Sequence, residues 1–185
     1  MRSKSLEQQS TPDLTQRVSL PQAYAQLAEM LNMPMTDAQA LAWTRLQLAM
    51  SVPQPHINRD QLIDSFADLD TVLFNGTLTG RVKVMWKRLL NFSGLMLRGQ
   101  CHPAAITWRG VTKCEIWLKL DLLDMEDGPD VWGTLIHEIL HAYLDLHTRL
   151  SSTFRSHHGD VFRQTCTYIE DQLGFPGLEW SNLGS

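Results

Sequence analysis

Hydrophobic positions recur every three to four residues in five stretches of this chain, and every second residue in a shorter stretch between the third and the fourth. Ala23, Leu27, Met30 and Leu31 share one face over residues 21–31, with Pro21 in a first turn that has no use for its missing N–H. Leu41, Leu46, Leu48 and Ala49 predict a second helix over 38–50, behind Thr36 and Asp37 as N-cap residues. Pro53 and Pro55 break the pattern. A third helix is expected over 58–74, through Leu62, Ile63, Phe66, Leu69, Val72 and Leu73, and Asn75-Gly76 accepts the positive φ that closes it.

The period then changes to two. Residues 81–86 alternate polar and apolar as a half-buried strand does, and 95–98, 104–108 and 113–118 read as further strands, punctuated by Gly94, Gly99, Pro103 and Gly110. In the last of these, Lys113, Glu115 and Trp117 point one way, and Cys114, Ile116 and Leu118 the other. The helical period returns at Pro129 and runs through Val131, Leu135, Ile139, Leu140 and Leu146. After the small, polar residues 151–156 a last helix is expected over 158–173, closed by Gly174. The order predicts an α+β fold: a helical N-terminal portion, a small three- to four-stranded, mostly antiparallel sheet, and two C-terminal helices. Residues 1–15 read as a polar arm, 16–56 as a helical extension, 57–178 as the main domain and 179–185 as a tail.

With 185 residues, 43% of them hydrophobic, the chain can bury a real core. No window of 18 apolar residues predicts a spanning helix, and the first twenty residues lack the apolar run of a secretory signal, so no membrane partner is expected. Three widely spaced cysteines, Cys101, Cys114 and Cys166, fit reduced thiols in an intracellular protein. The net charge of −4 hides an uneven distribution. Between residues 81 and 119, Arg81, Lys83, Lys87, Arg88, Arg98, Arg109, Lys113 and Lys119 face only Glu115. Such a segment is either the solvated face of a sheet or a local surface for phosphates.

The chemistry lies in one helix, where His137-Glu138-Ile139-Leu140-His141 forms an HExxH motif. Histidines at i and i+4 share a helix face about 6 Å apart, close enough to reach one metal ion. Glu138 is rotated by about 100°, so it can reach a metal-bound water without displacing a ligand. Zinc would lower the pKa of that water toward about 7, and Glu138 would take its proton as general base. Apolar Ile136, Ile139, Leu140, Ala142 and Leu144 bracket the polar triplet. Such a helix is buried, and a buried His/Glu/His triplet needs a partner such as a metal.

Zinc wants a third protein ligand and an open position. His147 has the spacing HExxHxxxxxH, but position 144 is leucine rather than a helix-breaking glycine, so a continuing helix carries His147 about 9 Å along the axis and onto another face. His158, at the start of the next helix, is the better candidate, with Phe162 one turn later to anchor that face; His157 and Glu170 are alternatives. Tyr143 and Trp132 either line the cleft or serve as core aromatics. Asp145 either accepts a hydrogen bond from a ligand imidazole or is solvated.

At these residues the sequence resembles the SprT-like family, the zinc metalloprotease domain of Spartan-type proteases. The likeness rests on Leu73-Phe74-Asn75, Val82-Lys83-Val84-Met85-Trp86, Ser93-Gly94 and Cys114-Glu115-Ile116-Trp117-Leu118. It continues through His137-Glu138-Ile139-Leu140-His141-Ala142-Tyr143 and His158-Gly159-Asp160-Val161-Phe162, similar to the family's HGxxF segment. The resemblance implies a zincin-type site with His137, His141 and His158 as zinc ligands. It also implies proteolysis of DNA-associated proteins, covalent DNA–protein crosslinks included, and a nuclear location. DNA would then be a partner through the basic strand segment, with Arg81, Lys83, Lys87 and Arg88 facing substrate or DNA. The alternative is a non-catalytic adaptor or nucleic-acid-binding protein in which zinc only joins two helices.

Overall fold

The structure is a computed structural model that describes residues 17–88, 98–102, 107–108, 111–112, 114–124, 131–148 and 159–173. Three helices open it, each with a polar cap. In α1 (Leu20–Asn32) Ser19 and Gln22 form a capping box, and Pro21 sits in the first turn. In α2 (Asp37–Met50) Thr36 and Gln39 do the same. In α3 (Arg59–Phe74) the Asn58 side chain accepts the N–H groups of Asp60 and Gln61. A cap of this kind stabilises a helix by about 1 kcal/mol. Asn75 (φ 54°) and Gly76 (φ 73°) end α3 in the left-handed region, as their sequence predicts.

Asp70 then turns the chain. Its buried carboxylate accepts the N–H of Leu78 (3.0 Å), the N–H of Thr79 (2.7 Å) and the hydroxyl of Thr79 (2.7 Å). Strand β1 (Val82–Lys87) follows. The described strands β2 (Gly99–His102) and β5 (Cys114–Lys119) join it in the order β1-β5-β2, while β3 (Thr107–Trp108) and β4 (Val111–Thr112) pair with each other. β5 is antiparallel to β2 but parallel to β1, because it inserts between two strands that run in opposite directions. Within β5 the predicted alternation holds: Cys114, Ile116 and Leu118 are buried, and Glu115 and Trp117 are half-buried.

One expectation shifts. The second strand starts at Gly99, which the sequence treats as punctuation; residues 95–97 of the expected strand lie outside the described residues.

The inner face of the sheet, with Val84, Cys101, Cys114, Ile116 and Leu118, packs toward α4 (Val131–His147). Every residue of α4 is buried except Asp145, so this helix is apolar nearly all round, as its sequence predicts. The last helix, α5 (Asp160–Leu173), lies beside α1, and α1 also touches α3 and α4. A short 3-10 turn at Gln54–His56 fills the segment of Pro53 and Pro55. There the Gln54 amide donates to the Leu122 carbonyl (3.2 Å) and accepts from the Val131 N–H (3.3 Å), gripping the first residue of α4. All three cysteines are free and buried. Among the described residues no helix is long and apolar enough to cross a membrane.

Candidate metal centre

The one-turn spacing of His137 and His141 on α4 brings their Nε2 atoms to 3.0 Å from each other. Two nitrogens bound at about 2.0–2.1 Å to one tetrahedral zinc stand roughly 3.3 Å apart, so the pair is already near the separation of two ligands on one ion. Both rings are buried, at 5% and 9% exposure. Phe162, in the first turn of α5, covers them: its ring lies 4.6 Å from that of His141, nearly parallel, and 5.1 Å from that of His137. The start of α5 is thereby set against both imidazoles. His157 and His158 lie outside the described residues, and among the described residues no group of three His, Cys, Asp or Glu could hold a metal ion.

Glu138 completes the HExxH triplet at 7% exposure. Burial pushes its carboxyl up to about 8, and the backbone N–H of Cys101, donating to it, pulls the other way. That range suits a general base working near neutral pH. Strand β2 is packed tightly against it: a Cβ built on Gly99 would stand 2.8 Å from Glu138 Cγ and 3.0 Å from both Glu138 Oε1 and Thr134 Cγ2. Gly99, Cys101 and Thr134 escape sequence reasoning as site residues. Their one signal is a lone glycine amid a strand pattern, which marks close approach of another group.

The other candidates fall elsewhere. His147 lies on a different face of α4, its ring 4.5 Å from that of Tyr143. Burial and the nearby Arg81 guanidinium hold it down at about 4. Tyr143 is fully buried, against Phe74 at 4.9 Å, and Trp132 is buried as well; both are core aromatics. Asp145 sits by Cys101, with Oδ2 4.0 Å from Sγ. Glu170 lies eight residues past Phe162, about 12 Å further along α5.

The basic residues divide. Lys83 and Lys87 are exposed on the outer face of β1, away from α4, and exposed Arg88 follows them. On that face Lys87 Nζ stands 5.2 Å over the Trp117 ring, and the His102 ring lies tilted against it, centroids 3.6 Å apart. Arg81 is half-buried, its guanidinium near Cys114 and His147. None of these four is among the groups packed on the His137–His141 pair.

No curated protein and no solved structure gives a significant match to the chain. The sequence profile of the SprT-like family matches residues 62–181, from the second turn of α3 to beyond α5, and this family is generally one of zinc-associated, metalloprotease-like domains. The match covers most of the chain and takes in the two imidazoles, the buried carboxylate and Phe162: the protein belongs to the SprT-like family.

Proposed function

We propose that this protein is a zinc-dependent endopeptidase. His137 and His141 hold the ion, His158 supplies the third imidazole, and Glu138 is the general base. The observation that carries the proposal is the convergence of two Nε2 atoms to 3.0 Å beside a buried carboxylate. When bound there, zinc would acidify a water molecule and polarise a peptide carbonyl. Glu138 removes a proton from that water and delivers it to the leaving amine, and its raised proton affinity suits both transfers. Phe162 and the apolar residues of α4 keep bulk water from the two imidazoles, which strengthens every electrostatic interaction among them.

The substrates we propose are DNA-associated proteins, including covalent DNA–protein crosslinks, and a nuclear location goes with that proposal. Exposed Lys83 and Lys87 on the outer face of the sheet, with exposed Arg88 just after them, support it, as cations that could take phosphates while cleavage proceeds on the inner side. The test is Glu138→Gln, assayed for zinc content and for cleavage of an unfolded protein with and without DNA. Zinc should stay bound at wild-type stoichiometry while cleavage falls by about 100-fold or more. A variant that cleaves as well as wild type defeats the mechanism. DNA binding that weakens steeply with salt, joined to a complete lack of proteolysis by the zinc-loaded wild type, would instead favour an adaptor.

A further inference from the structure

Gly99 opens a strand where β-branched residues would pair better, and its φ lies outside the left-handed range, so backbone conformation does not require a glycine there. Space does. The contacts at 2.8 and 3.0 Å that a Cβ would make fall on Glu138 and on Thr134, one turn earlier on the same face of α4. Strand β2 and this ridge of α4 are therefore as close as a bare backbone permits.

The hydrogen-bond phase of the sheet says why they are so close. Arg98 stands opposite Lys119 in the β2–β5 register, and Lys119 N–H donates to the Arg98 carbonyl (2.9 Å). In an antiparallel ladder such pairs alternate, so the N–H groups of Gly99 and Cys101 point away from β5, toward the outer edge of β2. The Cys101 N–H meets the Glu138 carboxylate there. A buried carboxyl and an outward edge amide thus face each other, and the amide lowers a proton affinity that burial raises.

We propose that β2 is the positioning strand for Glu138: the outward N–H of Cys101 fixes the carboxylate, and Gly99 is the positioning residue whose missing side chain lets it reach that N–H. The proposal rests on the reading of Glu138 as general base, and it adds what aims that base. Because the contact is made by backbone, the aim depends on side-chain size at position 99 and not on the chemistry of the Cys101 thiol.

The test uses the full-length, zinc-loaded protein and two readouts. In Gly99→Ala, kcat should fall by about 100-fold, the loss a displacement of about 1 Å can cause, with zinc content and KM within about twofold of wild type. Adding Thr134→Ser removes the Cγ2 that the new methyl strikes and should recover at least about tenfold of that loss. Independently of activity, the Cys101 amide proton should resonate downfield in the wild type and move upfield in Gly99→Ala and in Glu138→Asp, whose shorter side chain withdraws the carboxylate. Wild-type kcat in Gly99→Ala, or a Cys101 resonance that stays put in Glu138→Asp, overturns the proposal. If Gly99→Ala does not fold, Glu138→Asp still decides it. A wild type that cleaves nothing but shows the amide shifts would sink the peptidase reading and leave the Cys101–Glu138 contact standing.

Discussion

At the scale of single residues, α4 holds three histidines with two different fates. His137 and His141 face one another across one turn, whereas His147 is turned into the core, between Tyr143 and the Arg81 guanidinium. The third ligand is the residue-scale consequence to check: His158→Ala should lower bound zinc well below one per chain, while His157→Ala leaves it near one, as read by metal analysis after dialysis. His147 gives a prediction with a sign. Its folded pKa, about 4, lies below the ordinary 6.5 or so, so the unfolded chain takes up a proton that the folded protein refuses. The stability tied to this ring is complete above about pH 6.5 and is lost as pH falls toward 4, by up to about 3 kcal/mol. His147→Phe should remove that loss: its unfolding midpoint ought to fall less than the wild type's between pH 7 and 4.5. The two imidazoles and the neighbouring carboxylate were legible in the sequence, because an i, i+4 spacing on an apolar helix survives any packing. The glycine that admits the carboxylate was not. Its reason is a contact between residues 39 positions apart, and a glycine in isolation reads as a turn.

At the scale of elements, helices were legible to within a residue or two wherever a cap and an apolar face agreed, as in α1, α2 and α3. Strands were harder. Their order, with β5 inserted between β1 and β2, rests on pairings between strands far apart in the chain, and no local period encodes that. The junction of α3 and β1 shows what local signals leave out. Asn75 and Gly76 announce that the helix stops, but the direction of exit is set by Asp70, three donors on one buried carboxylate. Burial alone holds that carboxyl above its ordinary range, so without those donors the charge would have no place there. Asp70→Ala leaves the Leu78 and Thr79 N–H groups without their acceptor and should cost about 3 kcal/mol in urea unfolding, whereas Asp70→Asn, retaining one oxygen, should cost less.

At the scale of the whole molecule, the first helix lies ahead of the family match at residues 62–181 and yet is packed into the core. Ala23, Tyr24 and Leu27 of α1 are buried, and α1 touches α3, α4 and α5. The N–H of Val18 also donates to the carbonyl of His147 (2.9 Å), tying the start of the described chain to the end of the site helix. Leu27→Ala should therefore destabilise the protein by about 2–5 kcal/mol in a single transition, and hydrogen exchange should speed up in α4 as well as in α1. An α4 that kept its wild-type protection would mean that the two helices unfold separately. The grip of Gln54 on Leu122 and Val131 has a further consequence, for tolerance of length change. Leu122 and Val131 are two points held by one amide, and lengthening the chain between fixed ends costs only about 0.6 kcal/mol per doubling. An epitope or fluorescent label inserted there should be carried without shifting the register of α4.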